Sequence, residues 1–186
     1  QGAGAGGIEQ GRRGGTQPGE VREAEAAWGE VSGWRVMGGA GTDGKAAESS
    51  LCVAMLREQG LTAFKGGDMG APLSEYILSG EKADVVVLEL SSFQLQTCST
   101  LHPRVGILLN ISENHLDFHK DMDEYISAKM RLFANQTETD LAVLQDGMDE
   151  LAGKYGIKAR KIHYTAAAYT HLTLPTKSKR SNTAGT

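Results

Sequence analysis

The sequence predicts an α/β fold, a mostly parallel sheet flanked by helices, with a glycine-rich loop at one strand end. Three observations lead there. β-Rich runs alternate with amphipathic helical stretches between about residues 33 and 164, the order that places a parallel sheet under a cover of helices. The run "VVVLEL" within residues 83–90 is continuous and β-branched rather than alternating, as a strand covered on both faces requires. In "VMGGAGTDGKAAESS", residues 36–50, a short apolar run leads through glycines to a lysine and then to a helical pattern.

Taken in order, "GWRVM" (33–37) reads as the first strand. "KAAESSLCVAMLREQG" (45–60) reads as a helix, with Leu51, Met55 and Leu56 at helical spacing and Gly60 as its stop. "LTAFKGG" (61–67) is strand-like. "APLSEYILSG" (71–80) is a helix opened near Pro72 and closed at Gly80. Residues 83–90 and 104–111 form two buried strands. "MDEYISAKMRLFANQ" (122–136) is an amphipathic helix carrying Tyr125, Met130 and Phe133. A strand (140–145), a helix (148–156) and a last strand (159–164) complete the alternation. Ligands of such sheets lie beyond the carboxyl ends of the strands.

Bulk properties bound the function. The chain has 186 residues, 40% hydrophobic content and a formal net charge of -4. No basic face is implied, so nucleic acid is not the expected partner. No apolar run approaches the length of a membrane span, and no apolar leader follows Arg12 and Arg13. Two cysteines make no disulfide framework, and the expected compartment is the cytoplasm. Residues 1–30 are glycine-dense and read as disordered or foreign to the domain. Residues 166–186, rich in Thr, Ser and Lys, read the same way. The domain is expected at 31–165.

The chemistry gathers at the predicted strand ends. Gly39 through Lys45 has GxxxxGK spacing. Backbone amides, a helix N-terminus and a lysine are what a triphosphate needs there. By itself the match is balanced by a plain glycine turn before a surface helix, because Ala46 stands where such loops carry a hydroxyl. The next buried strand ends in Glu89, followed by Ser91, Ser92 and Gln94. A carboxylate there is costly to bury unpaired and suits Mg²⁺ beside a phosphate, although it could also cap the next helix. The strand after that delivers Asn110, Glu113, Asn114, His115, Asp117 and His119. Three successive strand ends bearing such groups favour an ATP·Mg²⁺ site.

Together "GTDGK", "GGDMG", "LELSSFQL", "NISENHLDFH" and "YISAKMRLF" resemble the central ATP-binding domain of the Mur ligases over roughly residues 36–150. Within that family, "ELSSFQL" and the GG-x-M-G loop look most like the branch that adds D-glutamate to UDP-N-acetylmuramoyl-L-alanine. The resemblance implies an ATP-dependent amide-forming ligase of peptidoglycan synthesis, monomeric, working through an acyl phosphate. It implies ATP contacts at Gly41, Thr42, Asp43, Gly44, Lys45 and Ala46, and catalytic roles for Lys45, His115 and Lys129. Glu89 and His115 would be Mg²⁺ ligands, with a carbamylated Lys129 supporting the second metal. Asp68, Ser91 and Gln94 would contact the UDP-sugar substrate.

The chain departs from the family at the loop itself. Asp43 replaces an asparagine, and Ala46 and Ala47 follow the lysine where hydroxyl residues stand. Asp68 also occupies an asparagine position. Too short for the family's flanking domains, the chain is expected to be a partial domain, inactive alone. Two other readings stay open: a different P-loop kinase or NTPase, which leaves His115 with Lys129 unexplained, and a non-catalytic or inert nucleotide-binding fragment. The triple change Ala46→Thr, Ala47→Thr and Asp43→Asn should tighten ATP·Mg²⁺ binding about tenfold, or about 1.4 kcal/mol. Calorimetric titration of the folded variant checks this, and unchanged affinity would remove the loop reading.

Overall fold

The computed structural model describes residues 35–68, 70–113 and 118–165. The two segments expected to be foreign lie outside these residues, as do Gly33 and Trp34. Six strands form one sheet: β1 (Val36–Ala40), β2 (Ala63–Gly67), β3 (Val85–Glu89), β4 (Val105–Leu108), β5 (Leu141–Gln145) and β6 (Arg160–Tyr164). Their order is β2-β3-β1-β4-β5-β6, and every pairing is parallel. The helices are α1 (Lys45–Glu58), α2 (Leu73–Ser79), α3 (Ser92–Thr97), α4 (Met122–Met130) and α5 (Asp149–Lys154). A 3₁₀ turn, Arg131–Phe133, follows α4 directly.

β3 is buried along its whole length, and its two-residue period serves two cores. Val85 and Val87 pack with Val53 of α1, together with Met37 and Ala63. Val86 and Leu88 belong to the larger core on the opposite face, with Val36, Leu90, Leu95, Leu132 and Phe133. This double cover is why the run is continuously apolar.

Three features differ from expectation. β1 begins later than predicted and runs on through Gly38 and Gly39. The glycines belong to the strand because helical side chains approach them closely. A Cβ on Gly38 would stand 2.8 Å from Leu132 and 3.2 Å from Leu90, and a Cβ on Gly106 would stand 2.8 Å from the Phe133 ring. Gly38 and Gly106 are register partners, so they form one dent that receives the 3₁₀ turn. Second, α1 turns Ser49 and Val53 inward and leaves Leu51 and Met55 53% and 61% exposed. The apolar spacing of Leu51 and Met55 therefore marked the outer face, not the packed one. Third, α3 follows β3, where the sequence offered Glu89 as its cap. Ser91 caps it, its side chain accepting from Gln94 N while Gln94 Oε1 accepts from Ser91 N at 3.1 Å. Glu89 is therefore not the helix cap.

At the opposite end of the sheet Asp140 clamps β4 to β5. Its side chain is fully buried, 2.7 Å from His102 Nε2 and 2.9 Å from Arg104 Nη1, and it also accepts from the amide and hydroxyl of Thr137. Burial alone would raise its pKa, but the hydrogen bonds from His102 and Thr137 outweigh burial and hold the carboxyl below its usual range. Asp140→Ala should cost on the order of 2 kcal/mol, since it removes the hydrogen bonds that His102 and Thr137 make to a buried acceptor, with little of this due to the half-exposed Arg104. The folded pKa is depressed, so the contribution is complete above about pH 4 and fades as pH falls through the lower folded value. Urea titrations of parent and variant between pH 7 and 3 should converge at the acid end.

Candidate functional site

The connection after β1 runs toward β2 and β3, and the connection after β4 runs toward β5. The loops that follow β1 and β4 therefore flank a topological switch point, where open parallel sheets take ligands. Side chains tie the two loops together. Asn110 Oδ1 accepts from the amides of Thr42 at 2.8 Å and Asp43 at 2.9 Å, while Asn110 Nδ2 donates to Asp43 O at 3.1 Å. Ser112 N donates to Thr42 Oγ1 at 3.0 Å. Gly44 takes the left-handed conformation, φ 83°, to turn the chain into α1. The first intrahelical bond is donated by Glu48 N to Gly44 O at 2.9 Å. The amides of Lys45, Ala46 and Ala47 thus precede the helical ladder, and the positive end of α1 opens on the loop.

Two lysines converge on the loop backbone. Lys45 Nζ donates to Gly41 O and Thr42 O, each at 3.2 Å. Lys129 Nζ, from α4, donates to the same Gly41 O at 2.7 Å. Lys129 is 2% exposed, and its ammonium lies 4.7 Å from the ring centroid of Tyr125, one helical turn earlier. Tyr125 in turn reaches the loop, with its hydroxyl 3.1 Å from Thr42 Oγ1. Burial strips hydration from Lys129 and Lys45 repels it, while Asp68 and Asp43 pull the other way. The net effect lowers its pKa to about 8.

Carboxylates lie on the α1 side of the sheet. Glu89 continues the parity of Val85 and Val87, so it faces α1, and it is 3% exposed. Its register partners are Gly39 on β1 and Gly67 on β2. Glu48, in the first turn of α1, lies over Gly39, where a Cβ would stand 2.1 Å from Glu48 Oε2. Glu48 Oε1 accepts from Cys52 Sγ at 3.1 Å, and burial together with this contact pushes the thiol up to about 12. Glu48 Oε2 and Glu89 Oε2 are both buried without a hydrogen-bond partner. Burial raises the pKa of both carboxyls, Cys52 partly offsetting it at Glu48 and Lys45 at Glu89.

The structure brings Gly41, Thr42, Asp43, Gly44, Lys45 and Ala46 together with Glu89 and Lys129 around the carboxyl ends of β1, β3 and β4. Asp68 is exposed, beside β3, and donates its amide to Glu89 O at 2.8 Å. Ser91 and Gln94 bond to each other in the cap of α3. His119 is a packing residue: it is buried, its Nε2 2.9 Å from Ser92 Oγ, with its ring stacked on Phe93. His115, Asn114 and Asp117 lie outside the described residues. The sequence reading missed Glu48 and Tyr164, whose hydroxyl donates to Leu109 O. With Asp43, Gly44, Ala47, Leu51, Leu109, Asn110 and Gln145 they line a cavity of about 300 Å³ beside the loop. Glu48 carried a signal, an acid in the first turn of a helix beginning at Lys45, but helix statistics explain that placement without a site.

Among the described residues no group of three or more His, Cys, Asp or Glu side chains is arranged to hold a metal. Glu89, with its orphaned buried oxygen, still fits Mg²⁺, which is commonly held by one or two carboxylates with waters and substrate phosphates.

An all-parallel sheet with a glycine loop, a lysine and a helix N-terminus at its switch point defines the class of phosphate-loop α/β domains. The Mur ligase middle domain family matches residues 40–182. The UDP-N-acetylmuramoylalanine–D-glutamate ligase of Nitratidesulfovibrio vulgaris strain DP4 is 56% identical over 149 residues, which are 80% of this chain and 34% of that protein. That of Desulfovibrio desulfuricans is 58% identical over 147 residues, 79% of this chain and 34% of that protein. The chain belongs to the Mur ligase family, and it spans about a third of the length of these relatives. The MurF ligase of Thermotoga maritima in complex with ADP shares the fold, with a TM-score of 0.65 at 22% identity over 87% of this chain and 40% of that one. E. coli FolC in complex with DHPP and ADP does so at a TM-score of 0.56 and 15% identity, over 76% of this chain and 45% of that one.

The lowered pKa of Lys129 has a measurable consequence. Between about pH 8 and the ordinary lysine value, about 10.4, the folded chain has released a proton that the unfolded chain keeps. This group therefore makes stability rise with pH through that window. NMR of the chain with isotope-labelled lysine side chains should show one amine titrating near pH 8, absent in Lys129→Met. If all lysines titrated together near 10.4, the burial argument would fail.

Proposed function

We propose that residues 31–165 form part of the ATP-binding middle domain of a cytoplasmic, monomeric ligase that joins D-glutamate to UDP-N-acetylmuramoyl-L-alanine in peptidoglycan synthesis. The observation that carries the reading is the convergence of Lys45 and Lys129 on Gly41 O at the switch point. Two cations around one neutral carbonyl call for an anion, and the positive end of α1 faces the same place. The resemblance to the D-glutamate ligases supports this branch of the family over a general phosphate-binding role.

In this reading the amides at the start of α1 and Lys45 bind the triphosphate of ATP. Glu89 and His115 hold Mg²⁺, which when bound neutralises phosphate charge and polarises the transferring group. The alanyl carboxylate of the UDP-sugar attacks the γ-phosphorus, ADP leaves, and the amine of D-glutamate displaces phosphate from the acyl carbon. The chain's contribution is orientation and charge balance. Asp68, Ser91 and Gln94 would contact the UDP-sugar. Lys129, with its pKa lowered to about 8, offers an appreciable neutral fraction near physiological pH. That amine adds CO₂ and gives up a proton, so that a cationic side chain becomes an anionic carbamate that would support a metal. Asp43 and Ala46 weaken ATP binding without changing the order of events.

The test is phosphate release by a full-length D-glutamate ligase in which residues 35–165 replace the corresponding segment. Release should require ATP, Mg²⁺, the UDP-sugar and D-glutamate together, and L-glutamate should not substitute. Lys129→Ala should lower the rate at least a hundredfold, and a short free carboxylic acid should restore part of it. Release from ATP that ignores the UDP-sugar would identify a simple NTPase instead.

A further inference from the structure

We propose that Glu48 is a second carboxylate ligand beside Glu89, forming a divalent-cation site that this chain fills before nucleotide arrives. The inference rests on the reading of Glu89 as a metal ligand and extends it to a residue in the first turn of α1.

The geometry comes from the pleat and the register. Glu89 has the parity of Val85 and Val87 and faces α1. Its partner on β1 is Gly39, which has the parity of Met37 and faces α1 as well. Gly39 carries no side chain, and the space a Cβ would take is filled by Glu48 Oε2. Glu48 thus occupies the side-chain position next to Glu89 on the same sheet face. The backbones of in-register neighbours on adjacent strands lie about 5 Å apart, so two carboxylates held over such a pair can turn toward one cation between them.

Both carboxylates keep a buried oxygen without a hydrogen-bond partner. The nearby lysines are engaged elsewhere. Lys65 Nζ donates to Ser50 Oγ at 2.6 Å and Ala46 O at 3.3 Å, and Lys45 Nζ binds the loop carbonyls. Two buried carboxylates side by side must share a proton or a cation. The loop supplies the reason to favour the cation. Ala46 lacks the hydroxyl that a phosphate loop gives to Mg²⁺, and Glu48, two residues further along α1, returns a hard oxygen to the same strand ends. One carboxylate, one hydroxyl and phosphate would thereby be exchanged for two carboxylates. Two anionic ligands need less help from nucleotide to hold a dication.

The test is Mn²⁺ binding to the full chain, followed by electron paramagnetic resonance of free Mn²⁺, with and without ADP. Circular dichroism confirms folding of each variant. The parent should bind one Mn²⁺ per chain below millimolar concentration without nucleotide. Glu48→Gln, Glu48→Val and Glu89→Gln should each weaken that binding at least tenfold, while Glu58→Gln at the far end of α1 should not change it. Glu48→Val guards against misfolding, because it places an apolar side chain against the sheet. If Glu89→Gln weakened binding and neither Glu48 variant did, the role of Glu48 would be overturned and the Glu89 reading would stand. Binding seen only with ADP would overturn it in the same way. No binding under either condition would mean a shared proton, and would remove the metal reading of Glu89 as well.

Discussion

The carbonyl oxygen of Gly41 is the point on which the site is built. It accepts from Lys45 at the start of α1 and from Lys129 in α4, two elements on opposite sides of β1. Ammonium groups repel, and in a partly buried setting they do so strongly. Neither can withdraw easily. Lys45 is fixed by the turn that Gly44 makes into α1, and Lys129 by the burial of its helix face with Tyr125. Burial first, and this repulsion second, lower the pKa of Lys129. The loop is held open against it by Asn110, whose amide side chain takes two loop amides and returns a bond to Asp43 O. A loop thus braced keeps its carbonyls turned toward the lysines.

Opposite charges gather one strand away. Glu89 and Glu48 lie on the α1 face, each with a buried oxygen unbonded. The two lysines thus meet at the loop after β1, while the two buried carboxylates lie against the sheet face beneath α1. A triphosphate with a divalent cation has this division within itself. That correspondence makes the arrangement more specific than a loop motif taken alone.

Much of the fold was legible because the sheet is parallel and covered on both sides. Such strands become continuous apolar runs, and residues 83–90 and 104–111 were read on that basis. The first strand was placed early because its later half is glycine, chosen by the neighbours that enter it rather than by strand preference. The capping box of α3 is written in the sequence as Ser91 and Gln94, but the helix it opens is only six residues long and has no apolar period to mark it. Lys45 and Glu89 were legible at their strand ends from local spacing, and Lys129 was legible only through the family resemblance. Glu48 was not, since its meaning depends on which strand residue lies beneath α1, and that is set by a pairing between segments far apart in the chain. The same long-range dependence reversed the face of α1, where Leu51 and Met55 point outward.

The dent formed by Gly38 and Gly106 acts as a datum for the site. Leu132 and Phe133 seat in it directly after α4 ends at Met130. Lys129 stands only a few residues before that seat, so its height above the sheet is measured from the dent rather than from the loop it touches. Interiors pack densely and transmit small displacements. A single methyl group added to the dent, among the apolar side chains of Leu90, Leu132 and Phe133, would lift the turn and the lysine as one lever. The tolerance on the position of an ammonium is thus written into two residues that have no side chain.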